Sequence, residues 1–203
     1  MKKNLSPKKI IEEFDRRALE RKGIVKVLSD RFGIKTNEEF DDVCNVLIRR
    51  YFPDKMGNIV DIGTGIGRLA RYFSRICNKF VGIDFSNKIL SVADEYLKDQ
   101  KNIILINNDV INMDFLPEYF DLGIASLILK HNSTKRAIKI IENLKKWCKK
   151  VLLIEHVAGG AHGSNIAIIR KEEWYIKQFK PMKPVIIEKF QRHKDRIIFC
   201  VFE

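Results

Sequence analysis

From Asn58 onward the chain alternates short continuous apolar runs with stretches of helical spacing, and few architectures accept that alternation. The runs are Ile59-Val60-Asp61, Phe80-Val81-Gly82-Ile83, Ile103-Ile104-Leu105-Ile106, Leu122-Gly123-Ile124-Ala125 and Val151-Leu152-Leu153-Ile154. Polar residues do not alternate with apolar ones inside them, so both faces of each strand must be covered. Stretches 69–77, 89–97 and 134–147 supply covering helices. Strand–helix–strand repetition implies right-handed crossovers and a parallel sheet. Two further runs, Val185-Ile186-Ile187-Glu188 and Ile197-Ile198-Phe199-Cys200-Val201-Phe202, flank polar Gln191-Arg192-His193-Lys194-Asp195-Arg196. That pattern predicts an antiparallel hairpin. The expected fold is an α/β, doubly wound sheet of seven strands, mostly parallel, with an antiparallel C-terminal hairpin.

The segment before Asn58 reads as helical. Phe40, Val43, Cys44, Leu47, Ile48 and Tyr51 recur at helical spacing after a cap at Thr36 or Asn37, and Ile10, Ile11, Phe14 and Ala18 suggest an earlier helix. Residues 1–55 are therefore expected to form a helical extension and 56–203 the main domain, which suits a chain of 203 residues. No apolar run is long enough to cross a bilayer, so no membrane partner is expected. The basic N-terminus lacks the apolar core of a signal peptide, which predicts a cytoplasmic location. Cys44, Cys77, Cys148 and Cys200 are widely spaced, without a Cys-x-x-Cys pair, so no metal site is expected.

A formal net charge of +12 raises the prospect of a polyanionic partner such as RNA or an acidic protein. The excess is spread along the chain, with no Arg-rich tail and no interleaving of aromatic and basic residues. Lys135, Arg136, Lys139, Lys145, Lys146, Lys149 and Lys150 are read first as a solvated helix face.

The chemistry begins at Gly63, Gly65 and Gly67, between a strand and a helix. Glycines there permit a tight turn and close approach of a ligand to the backbone, and the next helix offers free N–H groups. Alone, this pattern also suits a nicotinamide cofactor. The spacing, however, is G-x-G-x-G rather than G-x-G-x-x-G, with Arg68 in the sixth place. Asp61, two residues before the first glycine, would repel a pyrophosphate and attract a cationic ligand such as a sulfonium amino acid.

Val60-Asp61-Ile62-Gly63-Thr64-Gly65-Ile66-Gly67-Arg68 resembles the first motif of the class I S-adenosylmethionine-dependent methyltransferases. Val81-Gly82-Ile83-Asp84-Phe85-Ser86 resembles the second, Asn107-Asn108-Asp109-Val110 the third, and Phe120 through His131 the fourth. The resemblance implies a Rossmann-like sheet and S-adenosyl-L-methionine as cofactor. It places Asp61, Gly63, Thr64, Gly65 and Gly67 in the cofactor loop. Asp84 would hold the two ribose hydroxyls, Phe85 would pack on the adenine, and Asp109 would accept the adenine amino group. Val110 would give a backbone N–H to the ring, and Ser126 would lie at the strand exit toward the methyl group. A carboxylate can accept two hydrogen bonds from a vicinal diol, so the ribose role is chemically sound. The competing reading of each aspartate is a cap at a strand–helix junction.

The acceptor is less legible, because displacement at an activated sulfonium asks mainly for proximity and orientation. His131, just past the fourth strand, is the candidate general base, against a loop histidine that helps start the next helix. His156 after the fifth strand and His162 in Gly159-Gly160-Ala161-His162-Gly163 could border the substrate, or belong to a connection. Arg170-Lys171-Glu172-Glu173-Trp174 resembles the segment before the last helix in small-molecule members, and Phe14-Asp15-Arg16-Arg17-Ala18 resembles a lid helix. No Asn-Pro-Pro-Tyr or Asp-Pro-Pro-Tyr follows the fourth strand, which disfavours methylation of exocyclic base amines. No cysteine stands in a Pro-Cys context, which disfavours pyrimidine C5 methylation. The expected acceptor is a small molecule, with RNA or protein as the alternative. A non-catalytic cofactor-binding module is the reading from a different class.

Overall fold

The computed structural model describes residues 8, 9, 12, 15, 33–159, 167–192 and 195–203. Helix α1 (Gly33–Tyr51) leads into β1 (Met56–Ile62), α2 (Ala70–Phe73), β2 (Cys77–Asp84), α3 (Asn87–Leu97) and β3 (Ile103–Asn107). Strand β4 (Phe120–Ser126), α4 (Thr134–Trp147), β5 (Cys148–Ala158), α5 (Glu172–Phe179), β6 (Pro184–Arg192) and β7 (Asp195–Phe202) complete the order. Short 3-10 turns cover Val110–Asn112 and Leu129–His131.

The seven strands form one sheet in the order β3-β2-β1-β4-β5-β7-β6. Strands β1 to β5 are mutually parallel, with Ile62 of β1 opposite both Ile83 of β2 and Ala125 of β4. Strand β7 runs antiparallel between β5 and β6. This is the expected seven-stranded, doubly wound sheet with its terminal hairpin. The order reverses between β1 and β4, which opens a crevice at the carboxyl edge.

Apolar side chains divide into two cores, one on each face of the sheet. One contains Val60, Ile62, Leu153, Trp147, Tyr175 and Phe179, and Phe179 stacks on Phe202 with ring centroids 4.2 Å apart. The other contains Ile59, Phe73, Phe80, Leu152 and, from α1, Phe40, Cys44, Leu47 and Ile48. Each fully buried large side chain stabilises the fold by about 1.5–3 kcal/mol. Helix α4 matches its expected span because Ala137, Ile140, Ile141, Leu144 and Trp147 form one buried stripe. Ser133 begins it by accepting the Arg136 N–H at 3.4 Å.

Several expectations shift in extent: α1 begins at Gly33, ahead of the expected cap at Thr36 or Asn37, and β5 runs on through His156, which was expected beyond it. Stretch 69–77 yields only the four residues of α2, because the chain must already be extended at Cys77 to pair with Met56. The polar stretch of the hairpin also pairs further than expected: Gln191 faces Arg196 and Arg192 faces Asp195. Residues 8, 9, 12 and 15 are helical, as the early helix predicts; Ile10, Ile11, Phe14 and Ala18 lie outside the described residues. Among the described residues no helix is long and apolar enough to cross a membrane.

Candidate functional site

Parallel strands β1 to β5 bring their carboxyl ends to one edge, and the sequence-marked residues collect there. Gly63, Gly65 and Gly67 all adopt left-handed φ, at 66°, 57° and 78°. Their neighbours differ. A Cβ on Gly63 would strike Ile128, and one on Gly67 would strike Leu97, whereas one on Gly65 would meet nothing within 4 Å. Gly63 and Gly67 are therefore fixed by internal packing. Gly65 presents bare backbone to open space, as a loop that receives a ligand must.

The loop is tied to β2. Gly63 and Thr64 donate their N–H groups to the Ile83 carbonyl at 2.7 and 3.0 Å. Gly65 donates to Asp84 Oδ2 and Ser86 to Asp84 Oδ1, both at 3.0 Å. Burial pushes the Asp84 carboxyl up, against the N–H groups of Ser86, Gly65 and Phe85 that hold it down. Phe85 itself is half-buried beside it.

Asp61, at the end of β1, is 3 % exposed, and burial pushes its carboxyl up to about 7. The Thr64 hydroxyl opposes that shift and the Asp84 carboxylate adds to it. Even so, neither Asp61 Oδ1 nor Thr64 Oγ1 makes a hydrogen bond of normal geometry among the described residues. Asp15 of the early helix adds a third carboxylate: Ser86 Oγ donates to it, and Lys88 Nζ lies 3.7 Å away. Three neighbouring acids and two unsatisfied oxygens leave a site short of positive charge and of donors. A cationic ligand that brings N–H groups would answer both deficits.

Asp109 follows β3 and caps the 3-10 turn by accepting the Ile111 N–H at 3.3 Å. Its carboxylate also takes Arg136 Nη2 on both oxygens, at 2.9 and 3.0 Å. Arg136, in the first turn of α4, is steadied in turn by Asn132 Oδ1 at 3.1 Å. One acceptor position remains on Asp109 Oδ2. Val110 is buried, and its carbonyl accepts from Asn143 Nδ2 at 3.1 Å. Arg68 of the glycine loop donates through Nε to Asp41 of α1 at 3.0 Å and covers the Phe40 ring.

On the other side of the crevice Ser126 ends β4, half-buried. Leu127 then takes a left-handed φ of 56°, uncommon for a side chain of its kind and a mark of a constrained exit. His131 closes the 3-10 turn that follows; it is half-buried, with Nδ1 shielded from solvent. His156 lies on β5, 6 % exposed, with Nδ1 3.3 Å from Asp195 Oδ2 on β7. It thus links two strands at the edge of the crevice. His162 lies outside the described residues.

Three further residues meet here: Glu155, not among the expected site residues; Arg136, expected on a solvated helix face but paired with Asp109; and Arg170, marked only as part of the segment before the last helix. Glu155 is fully buried within β5, Arg136 holds Asp109, and Arg170 donates to the Leu129 carbonyl of the Leu129–His131 turn. Glu155 carried a readable signal, a single carboxylate ending the apolar run Val151-Leu152-Leu153-Ile154. The other two depend on pairings 27 and 41 residues apart.

Residues 59–151 match the family model described as a methyltransferase domain. A ribosomal RNA small subunit methyltransferase A from Lactiplantibacillus plantarum is 27% identical over 116 residues, covering 57% of this chain and 36% of that protein. A phosphoethanolamine N-methyltransferase from Plasmodium falciparum is 24% identical over 150 residues, covering 71% of this chain and 53% of that one. The chain therefore spans between about a third and a half of the length of these curated relatives. A Leishmania major structure described as a SAM-dependent methyltransferase superposes with a TM-score of 0.80 at 12% identity, covering 97% of this chain and 82% of that one.

Proposed function

We propose that this chain, whose residues 59–151 match the methyltransferase-domain model and whose sheet shares the fold of a SAM-dependent methyltransferase structure, binds S-adenosyl-L-methionine and transfers its methyl group to an oxygen, nitrogen or carbon of a small molecule. The observation that carries the cofactor reading is the open backbone at Gly65 beside the buried Asp61 and the half-buried Asp84. When bound, the cofactor supplies an electrophilic methyl group on a sulfonium. Asp84, held by two backbone N–H groups, takes the ribose hydroxyls. Asp61 and Thr64 face the cationic amino acid end, which satisfies their unpartnered oxygens. Asp109, steadied by Arg136, accepts the adenine amino group while Val110 offers its N–H and Phe85 packs on the ring. Residues 1–55 act as the helical extension over this end of the site, and the contact from Asp15 to Ser86 supports that role. Ser126 lines the exit toward the methyl group, and His131 takes a proton from the acceptor where one must leave. His156 and His162 border the acceptor.

Two observations favour a small acceptor. The β4 exit reads Ser126-Leu127-Ile128-Leu129, without the prolines and tyrosine of base-amine methylation. The basic residues around α4 are also largely engaged: Lys146 with Asp114 at 2.6 Å, Lys149 with Asp121 at 2.8 Å, Lys150 with Glu203, and Lys145 with the carbonyls of Gln178 and Lys180. An RNA acceptor is the second reading, favoured by the ribosomal RNA relative and by the net charge of +12.

Calorimetry with S-adenosylhomocysteine tests the cofactor reading; a folded sample that does not bind it refutes the proposal. Salt separates the acceptor classes: RNA binding weakens steeply as salt rises, and small-molecule binding does not. With the acceptor in hand, full turnover by His131→Ala would remove the base role and leave proximity as the account.

A further inference from the structure

The turn Leu129–His131, with Asn132 after it, is gripped from two chemical directions. Glu155 accepts the Lys130 N–H on Oε2 at 3.1 Å and its own neighbour's, that of His156, on Oε1 at 3.0 Å. Burial pushes this carboxyl up, and the Lys130 charge and the N–H groups of His156, Lys130 and Leu129 oppose that shift. Arg170, 6 % exposed, donates Nη1 to the Leu129 carbonyl at 2.9 Å and Nη2 to the Asn132 carbonyl at 2.8 Å. Ile168 adds an N–H to the Lys130 carbonyl at 2.7 Å, and the Trp174 ring lies 4.8 Å from the guanidinium. The buried Tyr175 hydroxyl is within electrostatic reach of both charged groups.

A turn this short leaves N–H groups at its start and carbonyls at its end that its own backbone cannot satisfy. Here the Glu155 carboxylate takes the Lys130 N–H, while the Arg170 guanidinium takes the Asn132 carbonyl just past the turn and shares the Leu129 carbonyl with the Asn132 N–H. Bonds of this charge-assisted kind are roughly twice as strong as neutral ones. Burying two charges costs more than filling the space with apolar side chains, so stability alone does not call for the pair. What the pair provides is one defined geometry for a turn whose last residue is His131 and which the single residue Ile128 separates from the constrained Leu127.

We propose that Glu155 and Arg170 are positioning residues: they hold the Leu129–Asn132 turn by its N–H groups and carbonyls and thereby fix the His131 imidazole at the acceptor pocket. The role of that imidazole rests on the methyl-transfer reading; the clamp itself does not. Glu155→Gln puts an NH2 group against backbone N–H donors, and Arg170→Lys keeps the charge but loses the planar fork whose two separate nitrogens reach the Leu129 and Asn132 carbonyls.

Amide hydrogen exchange and the histidine ring signals of the full chain test this by NMR. The chain has only four histidines, and His131→Asn identifies the relevant one. In the unaltered protein the Lys130 amide should exchange only through global opening. Glu155→Gln should speed that exchange at least tenfold relative to Ile140 in α4. Arg170→Lys should shift or broaden the His131 signal, with S-adenosylhomocysteine affinity within twofold of the parent. An unchanged His131 signal and unchanged Lys130 exchange in a folded variant would overturn the clamp. So would a Lys130 amide that exchanges freely in the unaltered protein, a measurement that stands even where a variant fails to fold. Failure of the parent to bind S-adenosylhomocysteine would sink the methyl-transfer reading while leaving the amide result to decide the clamp.

Discussion

The carboxylate of Asp84 accepts the backbone N–H of Gly65 at 3.0 Å, so the end of β2 and the glycine loop after β1 are set by one side chain. Replacing Asp84 by Ala removes this tie along with both proposed ribose acceptors. We expect S-adenosylhomocysteine affinity to fall at least tenfold, since one lost hydrogen bond to a charged group is worth about 1.5–3 kcal/mol. Titration calorimetry reads this directly, and an unchanged affinity would remove Asp84 from the ribose.

Gly65→Ala separates the loop's fold from its ligand. Its left-handed φ makes a Cβ cost about 1–2 kcal/mol in the folded chain, yet that atom meets no neighbour. A bound cofactor would meet it. We expect a modest loss in denaturant midpoint and a loss of S-adenosylhomocysteine affinity well beyond it. Equal losses in both would show that the surface over Gly65 is not where the ligand lies.

Asp61 makes stability depend on pH with a definite sign. Its folded pKa of about 7 lies above the ordinary carboxylate value of 3.8, so between those values the folded state binds the extra proton. The stabilising contribution is full below pH 3.8 and is lost as pH rises through 7, by at most about 1.4 kcal/mol per pH unit. Ligand-free protein should therefore lose stability across that window relative to Asp61→Asn, which lacks the titration. A cationic cofactor should reverse the shift and release a proton on binding near pH 6–7, visible as a calorimetric heat that depends on the buffer's ionisation enthalpy. Binding heats independent of the buffer would refute the charge role of Asp61.

The Arg136–Asp109 pair tests the adenine end. Its side chains are 20% and 25% exposed, so Arg136→Met should cost less than about 1 kcal/mol of stability. Its effect should appear as reduced preference for the adenine analogue over the one carrying hypoxanthine, which lacks the amino group. Competition binding of the two homocysteine nucleosides measures this, and an undiminished preference would free Asp109 of the adenine role.

The parts of the site that are legible in the sequence are those written at single strand ends. Asp61, the three glycines and Asp84 lie within one strand–turn–helix–strand unit, where spacing alone fixes their placement. Asp109 is legible as a capping acid, but not its pairing with Arg136, because α4 returns to that position only after β4 has been laid down. Glu155 stands out as a carboxylate after an apolar run, but the joint role of Glu155 and Arg170 does not, since the turn they hold lies outside both of their own segments. The short α2 was hidden for a related reason. Its helical pattern is real, but the pairing of Met56 with Cys77 claims the following residues for β2.

The placing of β7 between β5 and β6 constrains how the sheet can assemble. Strand β6 comes first along the chain yet touches the rest of the sheet only through β7, so it has nothing to dock on until its successor is extended. The two strands must arrive as a formed hairpin. The buried contact between His156 and Asp195 would then be among the first to register that the hairpin has landed in frame. A slip of one residue in β7 would turn its inward side chains outward and part that pair, so correct assembly and a completed site edge are a single event.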